Sequence, residues 1–349
     1  MSSIDDHGGW PSLIGALLDR THLTAEQAGA AMHTILRGDA TPAQLIGFVV
    51  ALRAKGETPA ELAGLLDAVL EHAAVVPLGD DLRDRAIDIV GTGGDRSHSI
   101  NISTMAALVA AGAGVPVCKH GARAASSKTG TADVLEALGV IVELSPEGVA
   151  HCVRTAGFGF CLAPAFHPAF RFAAPARREI GVPTVFNLLG PMANPGRVRR
   201  QVIGVANATF AERMVETLRN HGSTHAWVVH GGGLDELTTT SSSEVTQLED
   251  GRIARFEVDA VDLGLAPARM TDLVGGEPAE NAAAVRRVLA GEAGAHRDIV
   301  LLNAAAGLVV GDRAPDLRAG LAIAAESIDS GAAAEVLDRL VVASAEAAT

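Results

Sequence analysis

The chain is decided by residues 86–104, Ala86-Ile87-Asp88-Ile89-Val90 followed by GTGGDRSHSINIST. The apolar run at 86–90 reads as a buried strand. Gly91, Gly93 and Gly94 remove side chains from the turn that follows, so that backbone N–H groups can approach a ligand closely. From Ser103 onward the residues are apolar enough for a helix, with Asn101 or Ser103 as its cap. Strand, glycine turn and helix start together form an anion site, in which N–H groups and the helix dipole act in one direction. A second strand at 115–118 leads into KHGARAASSKTGTADVLEALG (119–139), where Lys119, His120 and Arg123 add charge and Ser126, Ser127 and Thr131 add hydroxyls. A lone GTGG is most simply a tight turn. Asp95, Asn101, Ser103, Lys119 and Arg123 in one βαβ-sized unit favour phosphate binding instead. Neither the dinucleotide fingerprint, whose third glycine is replaced by Arg96, nor the mononucleotide P-loop fits the spacing.

Before this stretch, residues 11–73 read as four helices, three of which open on capping boxes: Thr24 with Gln27, Thr41 with Gln44, and Thr58 with Glu61. Residues 74–85 read as a polar turn. After it, strands and helices alternate, with strands at 140–143, 158–161, 201–206 and 225–230, a helix from Ser145 to Ala156 and another near 209–221. The prolines between 163 and 200 break this alternation and suggest a chain crossing that serves as a hinge. Residues 244–258 form a hairpin around Asp250-Gly251, and 279–342 are mostly helical; spacing gives Asn281 and Asn303 no role. The expected fold is α/β, a small helical domain (1–75, completed by part of 163–200) and a large domain (76–349) with a mostly parallel sheet.

Composition narrows the function. The 349 residues are 48% hydrophobic, with a net charge of −13, three cysteines and no tyrosine. The acidic balance and scarce aromatics argue against a nucleic-acid surface. No window is apolar enough for a membrane span, and residues 1–10 do not resemble a signal peptide, so the expected setting is the cytoplasm. Cys118, Cys152 and Cys161 follow no metal-ligand pattern and read as buried thiols. Asp235-Glu236 follows a strand end and Gly231-Gly232-Gly233. Such a pair is commonly only solvated, but beside a polyphosphate it suits a hard divalent cation.

The loop GTGGD, the run NIST and KHGxRAxSSxxGxADxLEALG resemble anthranilate phosphoribosyltransferases, as do FHPAFR (166–171), RREIG (177–181), FNLLGPMANP (186–195), GLDELTTT (233–240) and LLNAAAG (301–307). The likeness runs in order along essentially the whole chain. It implies transfer of phosphoribose from phosphoribosyl pyrophosphate (PRPP) to anthranilate, with Mg²⁺, as two ions, on Ser103, Asp235 and Glu236. For the donor it implies Gly91, Gly94, Asp95, Ser99, Asn101, Ile102, Ser103, Thr104, Lys119, His120, Gly121, Ala122, Arg123, Ala124, Ala125, Ser126, Ser127 and Thr131. For the acceptor it implies Gly91, Ala122, His167 and Arg177, and it implies a homodimer joined through the amino-terminal helices, where 41–70 carry surplus apolar residues. An aromatic amine is already nucleophilic, so no side chain, including His98, His120 and His167, is assigned as nucleophile or general base. One position departs: the family pattern is KHGNR, and its Asn is Ala122 here. A pyrimidine nucleoside phosphorylase-like enzyme, a paralogue using another aromatic acid and a non-catalytic relative are the competing readings.

Overall fold

The computed structural model describes residues 3–124 and 128–348. Four helices come first: α1 (Gly9–Leu18), α2 (Ala25–Arg37), α3 (Pro42–Lys55) and α4 (Pro59–Glu71). All three expected capping boxes are formed, with Thr24, Thr41 and Thr58 each accepting from the backbone N–H three residues on while the Gln or Glu there returns the bond. The stretch expected as a polar turn contains a short helix, α5 (Asp80–Arg85), helped by Asp80–Arg83 and Asp81–Arg85 ion pairs one turn apart.

The remaining elements are β1 (Ile87–Gly91), α6 (Ile102–Gly112), β2 (Val117–Gly121), α7 (Thr131–Ala137), α8 (Pro146–Ala156), β3 (Phe158–Leu162), α9 (Ala163–Phe166), α10 (Ala174–Ile180), α11 (Val185–Met192), β4 (Arg200–Gly204), α12 (Ala211–Asn220), β5 (His225–His230), β6 (Ser243–Glu249), β7 (Arg252–Val258), α13 (Pro278–Leu289), α14 (Ala295–Val310), α15 (Leu317–Asp329) and α16 (Ala332–Ala347). The seven strands lie in the order β3-β2-β1-β4-β5-β6-β7. The first five are parallel, and β6 and β7 close the sheet as an antiparallel hairpin whose turn holds Asp250 and Gly251 at positive φ. From β1 the chain moves outward to β2 and β3, then returns to the other side of β1 as β4. That reversal puts the ligand crevice at the carboxyl ends of β1 and β4.

The strand expected at Val140–Glu143 is not formed. Val140 and Val142 are buried and Ile141 is exposed, which produces a strand-like alternation. The Ile141 N–H, however, donates to Ser344 Oγ on α16 at 3.0 Å, and β3 ends the sheet on that side. The crossing at 163–200 becomes α9, α10 and α11. Phe186, Leu188, Leu189 and Met192 of α11 join the apolar cluster of the amino-terminal helices. That cluster also takes in Ile203, Val205, Val228 and Leu248 from the sheet and Met214, Val215 and Leu218 from α12. The other face of the sheet packs beneath α6, α14 and α16. Among the described residues no helix is long and apolar enough to cross a membrane.

Candidate active site

Gly91 ends β1 and Gly204 ends β4, paired in register. Above them lies the loop that carries Asp235 and Glu236. A Cβ on Gly204 would stand 1.5 Å from the Asp235 carbonyl oxygen, and one on Gly91 would stand 2.2 Å from Asp235 Oδ2. Two bare backbones therefore let the acidic loop rest on the strand ends. The Gly93 N–H donates to Asp235 Oδ2 at 2.6 Å and ties this loop to the glycine turn, where Gly93 and Gly94 have φ of +68° and +80°. Asn303 on α14 holds the acidic loop from behind. Its amide accepts from Leu237 N–H at 3.0 Å and donates to Leu237 C=O at 2.8 Å.

The cavity between the loops has a volume of about 370 Å³ and is lined by residues 90–103, 119–124 and 129–131 with Asn187, Asp235 and Glu236. At the start of α6, Asn101 occupies the capping position, but its side chain makes no capping bond. It donates instead to Thr129 C=O at 3.3 Å and accepts from Asn281 at 2.8 Å, leaving the first-turn N–H groups of α6 uncapped by it. Asn281 also accepts from Gly276 N–H at 2.7 Å, so α13 braces the glycine loop from outside.

Lys119 is buried, and its ammonium donates to Ile89 C=O and, at 3.2 Å, to Ser103 Oγ. Burial lowers its pKa while Asp88, Glu236 and Asp235 act against that shift. Burial first, then the neighbouring Asp95, pushes the Asp235 carboxyl up to about 7. Enclosure and Asp235 hold Glu236 well above the usual carboxylate range. These are crowded acidic oxygens short of positive charge. Among the described residues no three His, Cys, Asp or Glu side chains form a complete metal cage. The crowded Asp235 and Glu236 oxygens suit a hard cation that completes its shell with ligand oxygens and water, the habit of Mg²⁺.

Most expected donor residues meet here: Gly91, Gly94, Asp95, Ser99, Asn101, Ile102, Ser103, Lys119, His120, Gly121, Ala122, Arg123, Ala124 and Thr131 all line the cavity. Thr104 is fully buried and lies behind the wall. Ala125, Ser126 and Ser127 lie outside the described residues. Although Arg123 is in the wall, its guanidinium is engaged by Glu136 at 2.5 Å and Glu143 at 3.2 Å. Of the acceptor residues, Gly91 and Ala122 line the cavity and His167 and Arg177 do not. His167 is buried behind His120, ring centroids 5.0 Å apart, with Nε2 bonded to Ala193 C=O at 3.0 Å. Arg177 lies over the Phe186 ring at 4.9 Å, next in sequence to the lining residue Asn187. Sequence reasoning missed Gly204, Asn281 and Asn303, which meet Asp235, Asn101 and Leu237 far away in the chain, and Asn187, which lines the cavity while its side-chain oxygen accepts from the Thr184 N–H three residues earlier.

Residues 11–73 match the helical bundle domain of a glycosyl transferase family, and residues 83–334 match its α/β domain. A curated anthranilate phosphoribosyltransferase from Salinispora arenicola is 53% identical over 335 residues, 95% of this chain and 95% of that protein. The chain belongs to the anthranilate phosphoribosyltransferase family. The Rhodococcus jostii anthranilate phosphoribosyltransferase is 52% identical across 95% of this chain and 92% of its own. The crystal structure of the anthranilate phosphoribosyltransferase from Thermus thermophilus superposes with a TM-score of 0.90 at 41% identity, covering 95% of this chain and 99% of that one. That of Saccharomyces cerevisiae, solved in complex with PRPP and Mg, gives 0.87 at 28% identity, covering 97% and 98%. As an anthranilate phosphoribosyltransferase fold, the chain presents its acidic pair and glycine turn at the sheet's reversal point.

Proposed function

We propose that this cavity transfers the phosphoribosyl group of PRPP to the amine of anthranilate, releasing pyrophosphate, as a step of tryptophan biosynthesis. The observation that carries the reading is the Asp235-Glu236 loop seated on Gly91 and Gly204, tied to the glycine turn through the Gly93 N–H. Charge must leave with pyrophosphate while positive charge develops on the ribose, so catalysis rests on alignment and electrostatic stabilisation. Amides of the glycine turn and the start of α6, with Thr131 and Lys119, would orient the donor phosphates. Asp235, Glu236 and Ser103 would hold magnesium, as two ions, which supplies positive charge to the leaving group. Burial lowers the pKa of His120 to about 3 and that of His167 to about 4, so both imidazoles are neutral at pH 7; His120 forms part of the cavity wall, His167 packs behind it, and neither is assigned as a general acid.

The acceptor would enter beside Ala122 and Asn187, with the Arg177 guanidinium supplying a fork for its carboxylate. Burial lowers the pKa of Arg177, and Phe186 supports its planar face. Arg123, now shared with Glu136 and Glu143, would contribute to donor binding on release from them. Loss of anthranilate fluorescence on mixing with PRPP and Mg²⁺ tests the activity. Phosphorolysis of a pyrimidine nucleoside, or no turnover with any acceptor, would overturn it.

Ala122 supports a second reading of acceptor choice. Its carbonyl is already used by the Ala132 N–H at 3.2 Å, so only the side chain distinguishes it from the family's Asn. One neutral hydrogen bond is worth ~0.5–1.5 kcal/mol, so Ala122→Asn should lower KM for anthranilate by up to about tenfold and leave donor binding unchanged. Unchanged use of anthranilate by the variant, alongside turnover of another aromatic acid by the parent, would favour a different acceptor. We further place the protein in the cytoplasm as a homodimer joined through α1 and α3, where Leu18 is 71% and Val50 43% exposed. A monomeric mass in sedimentation at micromolar concentration would remove the dimer.

A further inference from the structure

A second polar cavity, of about 260 Å³, lies beneath the amino ends of β4 and β5, at the opposite end of the sheet from the donor cavity. Its walls come from α4, from Arg83 of α5, from the chain between Met192 and Gln201, and from α12 with the turn after it. Arg83, Arg197, Arg199 and His221 face one carboxylate, Asp67, in this lining. A cation-rich hollow is unexpected in a chain of net charge −13. Asp67 is engaged by His221 at 3.4 Å. The carboxylates that meet Arg83 and Arg199, Asp80 and Asp84, stand outside the lining.

Arg197 is the informative residue. It sits at φ +54°, an uncommon conformation for a non-glycine residue, and its guanidinium is half-buried. One amino group donates to Leu70 C=O at the end of α4 at 2.5 Å, while the buried Nε has no hydrogen-bond partner among the described residues. Burial lowers the pKa of this group, and Asp67 and Glu71 oppose the shift. Burying part of a charged guanidinium is costly, and although Nε itself is shut off from the cavity, an anion beside Arg197 and Arg199 would offset the cost by meeting their outer guanidinium nitrogens.

The cavity also communicates with the donor site. Asn194, in its wall, accepts from Gly196 N–H at 2.8 Å and donates to Asp88 at 2.7 Å and Cys118 C=O at 2.8 Å. Asp88 in turn accepts from the His120 N–H at 3.2 Å, and His120 lines the donor cavity. The turn that carries Arg197 is thus bonded, through two buried side chains, to the strand that carries Lys119 and His120.

We propose that this hollow is a second oxyanion site, taking a small phosphate or carboxylate on Arg197 and Arg199, distinct from the donor site. The test is calorimetry on the full-length protein with the donor cavity saturated by PRPP and Mg²⁺ and no acceptor present, titrated in parallel with inorganic phosphate and with acetate. Residual binding of either anion is expected, and the tighter one identifies the class. Arg197→Gln and, separately, Arg199→Gln should weaken it by about tenfold, as for loss of a charge-assisted bond, with turnover at saturating substrates retained. Arg199 is the more exposed residue, so its variant keeps the test sound should Arg197→Gln fail to fold. No residual heat with either anion, or binding unchanged in the folded variants, would overturn the proposal.

Discussion

Replacing Gly204 by alanine tests the site's architecture without touching any group that meets a substrate. The new Cβ would lie 1.5 Å from the Asp235 carbonyl oxygen and 2.3 Å from its carbonyl carbon. A carbon resting on a carbonyl oxygen needs roughly 3.3 Å, so the acidic loop must withdraw by about 1.8 Å. The clash is with backbone, so a side-chain rotation cannot relieve it. A misplacement of about 1 Å at a reacting centre can cost ~10²-fold, and kcat/KM should fall by at least about that factor. The Mg²⁺ concentration needed for half-maximal rate should rise, because Asp235 and Glu236 move together. Initial rates of anthranilate fluorescence loss over a Mg²⁺ series would measure both, with thermal denaturation as a control for folding. A folded Gly204→Ala protein with parental turnover and an unchanged Mg²⁺ requirement would refute the placement of the metal on this loop.

Asp235→Ala and Glu236→Ala should each lower turnover by ~10²-fold or more, and full activity of the double variant in excess chelator would contradict the metal assignment. Asn303→Leu leaves the N–H and C=O of Leu237 unpaired in the interior, so urea denaturation should show a loss of about 2–5 kcal/mol; a loss below about 1 kcal/mol would show that the loop finds other partners. His120 and His167, lowered to about 3 and about 4, stay neutral in the folded chain. Once unfolded they bind protons near pH 6.5, so their contribution to stability falls as pH drops from 6.5 towards 4, by roughly 1.4 kcal/mol per unit for each. Burial raises Asp88 to about 6, which works in the opposite direction, so the comparison is between the parent and His167→Gln. The variant should show the weaker loss between pH 7 and pH 5, and parallel curves would refute the argument.

What could be read from the sequence was local. Thr24 with Gln27, Thr41-Pro42 with Gln44 and Thr58-Pro59 with Glu61 announce their helices because cap and partner lie three residues apart. The glycine turn at 91–94 was legible because its composition is unusual and a strand and a helix flank it. Gly204 was not, because a single glycine at a strand end has meaning only once Asp235 rests on it. Asn281 reaches Asn101 across 180 positions and Asn303 reaches Leu237 across 66, distances over which no spacing rule operates. Val140–Glu143 misled for the converse reason: one-sided burial produces the same alternation whether the segment pairs in a sheet or docks against α16. Arg123 shows the same limit in electrostatics, since residue order could not reveal that Glu136 and Glu143 compete for its guanidinium.

The apolar cluster shared by the amino-terminal helices, α11, α12 and the sheet has a practical meaning for dissecting the protein. The covalent border near residue 73 is not an energetic one. An α/β fragment produced alone would bare Ile203, Val205, Val228 and Leu248 together with one side of α12, while the bundle alone would lose the cover of α11. Each piece would carry a wet hydrophobic face and precipitate rather than behave as a module. Produced together, the same two faces are complementary halves. That makes the junction between α4 and α5 a natural place to split the chain into a pair of fragments whose reassembly restores the cavity, and whose activity then reports that they have met.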